Sequence, residues 1–209
     1  MEPAMSNFSA VQALVIEDID KSDQTANVQQ AIKDAVKFYN HRESMWFQEE
    51  RKETTILGTT DLIQLPSDFD SRETLTINDP SNSDTWELTP KPLNWILERT
   101  DTDHASDPRY YTIFDDQIQV YPYPDKTFTL SLYYKRNLDA VTATPAYTSA
   151  WFTEADDLIR YRAERMIYKN ILHDTDASND AKEMEVEQYN TLLKRHRRRL
   201  QTGRGVKWL

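Results

Sequence analysis

The residues of this chain whose types could do acid–base or metal chemistry are four histidines and three pairs of neighbouring acids. His41, His104, His173 and His196 lie far apart, and none falls in an H-E-x-x-H or other paired ligand spacing. The acids recur at Asp101/Asp103, Asp115/Asp116 and Asp156/Asp157. A glycosidase needs two carboxylates roughly 5–9 Å apart across a cleft. These neighbours suit a loop, a tight turn and the first turn of a helix, where Asx turns and the helix dipole account for them. Between two helical stretches, Asp174, Asp176, Ser178, Asp180 and Glu185 approximate a calcium loop. Asn179 stands where that loop needs glycine and Lys182 where it needs a ligand, so the segment reads as a polar helix-to-helix turn with a capping Asp or Ser. The absence of cysteine excludes thiolate zinc sites, disulfides and thiol nucleophiles. The only glycines are Gly58, Gly203 and Gly205, and none makes a phosphate loop between a strand and a helix. The sequence therefore assigns no catalytic residue, no metal ligand and no cofactor.

The remaining unusual feature is charge. From Lys194 to Leu209 there are seven basic residues and no acid, so a chain of net charge −10 carries −17 on the rest. A basic terminus on an acidic body, ending in Trp208 and Leu209, predicts an arm for an external target. Nucleic-acid phosphates are one target, giving strongly salt-dependent binding. A protein surface is another, because Trp and Arg dominate interface hot spots. The plainest alternative is a helix C-terminus whose cations complement its dipole before it frays.

These features must be positioned by elements that the hydrophobic pattern marks. The 209 residues suit one large domain or one with an insertion. No apolar run approaches the ~20 residues needed to span a bilayer, and the N-terminus shows no signal-peptide pattern, so folding in a cytoplasm is expected. Phe8 to Ile16 predicts a short helix capped by Asn7. A helix capped by Asp23 or Thr25 follows, with Val28, Ile32, Ala35, Val36 and Tyr39 on one face. Thr54–Leu57 and Asp61–Leu65 flank Gly58-Thr59-Thr60 as a hairpin. Strands are predicted over Arg72–Ile77, Trp86–Leu88, Tyr110–Phe114, Gln117–Tyr121 and Thr127–Tyr134, with a tight turn at Asp115-Asp116 and a helical turn or two over Leu93–Arg99. Helices return at Trp151, where Thr153 and Asp156 resemble a capping box, and a last helix carries Met184, Gln188, Tyr189, Leu192, Leu193 and Leu200.

The fold class is thus α+β. Residues 1–53 and 138–193 form a helical bundle, residues 54–137 an inserted β-rich subdomain, and residues 194–209 an extended basic tail.

The order of these pieces resembles the head-to-tail adaptor proteins of tailed bacteriophages, also called connector or tail accessory factor proteins. The resemblance rests on Ala31-Ile32-x-x-Ala35 and Trp46-Phe47, then Leu65-Pro66-Ser67-Asp68-Phe69 and Tyr111-x-Ile113. It continues through Gln117-Ile118-Gln119-Val120-Tyr121-Pro122-x-Pro124, Leu130-x-Leu132-Tyr133-Tyr134, and Trp151 opening the final helices. It implies a non-enzymatic virion protein in the neck or tail region, assembled in the host cytoplasm. Such proteins form a homo-oligomeric ring, typically of twelve copies, that links the portal protein to a tail nozzle or tube protein. Genomic DNA passes through that ring without sequence-specific binding, and no membrane is involved. A C-terminal extension grips the portal, so Arg195, Arg197, Arg198, Arg199, Arg204, Lys207, Trp208 and Leu209 become the expected docking residues. A nucleic-acid-binding protein that uses the same basic tail is the alternative, and a hydrolase using paired carboxylates a third.

Overall fold

A computed structural model of the chain describes residues 7–42, 44–58, 62–99 and 105–203. The chain divides into two compact units, residues 1–48 with 137–209, and residues 49–136.

The first unit is helical. Helix α1 (Phe8–Ile19) starts where Asn7 Oδ1 accepts the Ala10 N–H at 2.9 Å, and buries Phe8, Val11, Val15 and Ile19 along one stripe. Helix α2 (Thr25–Asn40) buries Val28, Ala31, Ile32, Ala35, Val36 and Tyr39 at helical spacing. Neither Asp23 nor Thr25 caps α2 with its side chain. A single 3-10 turn, Ser22–Gln24, leads into the helix, and the Thr25 hydroxyl donates back to the Ser22 carbonyl at 2.9 Å.

The second unit, residues 49–136, is β-rich, and one of its sheets has the order β1-β8-β3-β4. Its strands are β1 (Glu49–Ile56), β3 (Phe69–Asp79), β4 (Asp84–Glu87) and β8 (Phe128–Arg136), all antiparallel. The other sheet runs β2-β7-β6-β5, from β2 (Leu62–Gln64), β5 (Thr89–Pro90), β6 (Tyr110–Phe114) and β7 (Gln117–Tyr121), with β5 parallel to β6. A short helix α3 (Leu93–Leu97) joins β5 to the segment before β6. Alternation along β8 sends Phe128, Leu130, Leu132 and Tyr134 to the inside, where they meet Ile63, Tyr111, Ile118 and Val120 of the other sheet in one apolar cluster.

Two local predictions fare differently here. Asp115 and Asp116 have φ of 50° and 56°, the left-handed pair that a two-residue turn between β6 and β7 requires. The expected hairpin around Gly58 does not form. β1 pairs with β8 and β2 with β7, so the two runs belong to different sheets. Alternation specifies which face of a strand is buried, but not its neighbour. The Leu65–Phe69 segment makes the crossing. Leu65 is buried, the Phe69 N–H closes a turn on the Pro66 carbonyl at 3.0 Å, and Asp68 accepts the Tyr134 hydroxyl at 2.9 Å.

The helical unit resumes with α4 (Ala150–Glu154) and α5 (Asp156–Ile167), which runs into a π-helical turn, Tyr168–Leu172. Ser149, not Thr153, caps this region, accepting the Trp151 N–H at 3.3 Å. The Thr153 hydroxyl is turned back to the Ala150 carbonyl. Helix α6 (Thr175–Gly203) is 29 residues long, about 43 Å at 1.5 Å per residue. Ser178, Ala181, Glu185, Leu192 and His196 are its buried positions among the described residues.

The extended arm expected from Lys194 is therefore helical as far as Gly203. No proline or glycine interrupts residues 175–202, and Leu192, Leu193 and His196 continue the inward stripe, so the helix has no reason to stop at 193.

Candidate functional site

The basic end of α6 divides into two faces. At 100° per residue, Arg195 and Arg199 flank the buried stripe of Leu192 and His196, while Lys194, Arg197 and Arg198 fall on the opposite, exposed side. Trp46, in a 3-10 turn after α2, receives the inner face. Its ring stacks on His196 at 20° with centroids 6.2 Å apart, and its backbone N–H donates to His196 Nδ1 at 3.2 Å. The Arg199 guanidinium lies 4.6 Å from the Trp46 ring centre and that of Arg195 5.1 Å. Arg195 also donates to the Glu154 carboxylate at 2.7 Å and to the Glu154 carbonyl at 3.0 Å, satisfying the C-terminus of α4. Of the expected docking residues, Arg195 and Arg199 thus contact their own unit, and Arg197 and Arg198 are exposed. Arg204, Lys207, Trp208 and Leu209 lie outside the described residues.

Behind Trp46 sits a polar hub that sequence reasoning missed. Asn40 is fully buried. Its Oδ1 accepts from Gln48 Nε2 at 2.9 Å, the Leu138 N–H at 3.0 Å and Trp151 Nε1 at 3.4 Å, and its Nδ2 donates to Asn137 Oδ1 at 2.9 Å. Gln48 is the last residue before the β-rich unit and Asn137 the first after it. One side chain therefore holds both the exit and the return of the chain. Nothing in its own spacing marks it, because Asn at the last position of a helix is ordinary.

The helices are registered by two buried carboxylates. Glu185 on α6 accepts the Tyr39 hydroxyl at 2.5 Å, Arg162 Nη1 at 3.0 Å and Arg165 Nη1 at 2.9 Å. Burial opposes its charge, but these bonds, led by Tyr39 and Arg165, hold its carboxyl below the ordinary range. The same burial and the Glu185 carboxylate push the Tyr39 hydroxyl far up. Glu164 on α5 behaves in the opposite way. Burial, then a hydrogen bond shared with Asp18, pushes its carboxyl up to about 8, although Arg160 bonds both acids, at 2.9 Å to Glu164 and 2.6 Å to Asp18.

The candidate chemical residues are dispersed. His41 faces Asp139 at 3.0 Å and His173 ends the π turn with a left-handed backbone. Asp115 and Asp116 make the hairpin turn, Asp156 and Asp157 occupy the first turn of α5, and Asp101, Asp103 and His104 fall outside the described residues. The calcium-like segment is taken apart by its bonds. Asp174 caps α6 by accepting the Ala177 N–H at 3.0 Å, and Glu185 is committed to its two arginines. Among the described residues no cluster of three metal-ligating side chains occurs, and no helix is long and apolar enough to cross a membrane.

Compared with known proteins, residues 6–207 match a family model described as the SU10 adaptor protein. No curated protein matches the chain.

Proposed function

Starting from the fact that this chain belongs to the SU10 adaptor protein family, and so is a phage head-to-tail adaptor, we propose that it assembles as a ring beneath the portal and docks there through the outer face of the α6 end. As a phage adaptor it is a structural protein of the virion neck, working with portal and tail components. In the proposed assembly Arg197 and Arg198, joined by Arg204, Lys207, Trp208 and Leu209, meet the portal, and DNA passes through the ring without sequence-specific contacts. Twelve copies is the expected number.

The observation that carries this reading is the division of charge on α6. Arg195 and Arg199 anchor the helix to Trp46 and Glu154, and Lys194, Arg197 and Arg198 fall on its exposed side in a chain of net negative charge. A fixed base carrying an exposed cationic face suits a docking element whose partner presents acids.

Native mass spectrometry with purified portal rings tests it. Full-length chain is expected to load onto the portal as a ring, and a chain ending at Gly203, or one carrying Arg197→Ala with Arg198→Ala, to load poorly while its fold persists. Equal loading by all three overturns the docking assignment. The same exposed cations also favour a second reading, direct nucleic-acid binding. That reading requires DNA affinity that falls steeply between low and high salt and disappears with the same two substitutions.

A further inference from the structure

At the other end of α6 lies a cavity of about 380 Å³, walled by the end of α5, the π turn and the first turns of α6. Arg165, Lys169 and His173 line one side at four-residue spacing, and Thr175, Ser178 and Lys182 the other. In a chain with 35 acids against 25 lysines and arginines, this lining contains three permanent cations, of which Arg165 pairs with Glu185, and no carboxylate of its own. Lys169 and Lys182 have no ion-pair partner among the described residues. The one acid at the helix start that bonds locally, Asp174, is used as the cap.

Two further observations point to an occupant. Ser178 is only 8% exposed and lines the cavity, so a hydroxyl stands in its wall. Next door, Arg165 and Lys169 also line a second cavity of about 210 Å³ with Arg162, whose buried Nε has no hydrogen-bond partner among the described residues, a costly and uncommon arrangement. The opening N–H groups of a 29-residue helix add the positive end of its dipole.

We infer that this cavity is an oxyanion site of the phosphate class, with Lys169 and Lys182 supplying charge, Arg165 a planar donor, and Ser178 and Thr175 the hydroxyl donors. The lysines act as mobile point charges and the hydroxyls fix orientation, the combination that tetrahedral oxyanions take. The phosphate is either free in solution or a phosphodiester of a DNA strand. Only the DNA source rests on the channel reading above; the pocket chemistry stands without it.

The test is a calorimetric titration of the full-length chain with inorganic phosphate at constant ionic strength, with chloride as the control, followed by a short DNA duplex. Saturable one-to-one phosphate binding is expected, weakened about tenfold by Lys169→Gln and again by Lys182→Gln. Ser178→Ala weakens it less, and Lys52→Gln on the β-rich unit leaves it unchanged. Both lysines are exposed, so circular dichroism should show an unaltered fold. DNA that competes for the site identifies the phosphodiester source, and phosphate binding without competition identifies the free ion; either outcome upholds the site. No saturable phosphate binding, binding equal in all variants, or a change in oligomeric state on Lys169→Gln without any phosphate effect overturns it. The last result would assign the pocket to a carboxylate of a second copy.

Discussion

The two units solve burial in different ways. The β-rich unit has an interior that is almost wholly apolar. Its one buried acid among the described residues, Asp79, sits at the end of β3, where Lys126 at 2.6 Å and the Ser81 hydroxyl hold its carboxyl down at about 2. The helical unit instead places Glu185, Glu164, Asn40 and Gln48 among its helices. A strand offers a clean alternation, so one face can be entirely apolar. Several helices meeting at different angles leave gaps between their stripes, and long polar side chains with fixed partners fill them. The β-rich unit is thus specified mainly by packing and the helical unit also by paired charge, which makes the latter sensitive to pH and to single polar deletions.

The sharpest way to break that contrast is Glu185→Ala. It strips Tyr39, Arg162 and Arg165 of their shared acceptor and is expected to cost about 3–5 kcal/mol in chemical denaturation. Ile77→Ala in the β-rich interior should cost about 2–5 kcal/mol through its cavity alone. Only the Glu185 loss should depend on pH. The Glu185 carboxyl is held below its unfolded value, so its contribution is present above the ordinary carboxylate range and disappears as pH falls through the folded value. A similar acid sensitivity for both variants would show that the charge network does not matter.

Next comes Asn40→Ala, expected to cost about 2–3 kcal/mol because several buried groups lose a partner at once. Its loss should raise amide exchange around Gln48 and Leu138 rather than uniformly. The smallest effect is at Glu164. Its carboxyl is raised to about 8 in the folded chain, so stability should decline as pH rises from the unfolded carboxylate range towards 8, the reverse of the Glu185 trend. Glu164→Gln should flatten that decline and leave stability below it nearly unchanged. A persisting slope in thermal melts from pH 5 to 8 would assign it to another group.

The α+β class, α3, the Asp115-Asp116 turn and the inward residues of β8 were legible because each depends on local pattern or turn chemistry. The partners of β1 and β2 were not, since pairing between distant strands leaves no local trace. The end of α6 was legible only in part, for a related reason. Seven cations without an acid look like a solvated arm, yet Arg195 and Arg199 acquire partners 41 residues and more away in sequence, at Glu154 and Trp46. Asn40 and the phosphate-class pocket were invisible for the same cause, although the four-residue repeat of Arg165, Lys169 and His173 was a signal that could have been found.

The register of β1 against β8 carries a consequence for how the chain reaches its native state. Glu49 stands opposite Lys135, so the first and last strands of the inserted unit bring its two ends together. Without that pairing, joining Gln48 to Asn137 would mean closing a loop of nearly ninety residues, and the entropy of closure grows with loop length. The insertion removes this obstacle itself once β1 and β8 zip. The helices before and after it then behave as near neighbours in the chain, and a contact distant in sequence becomes short-range in time.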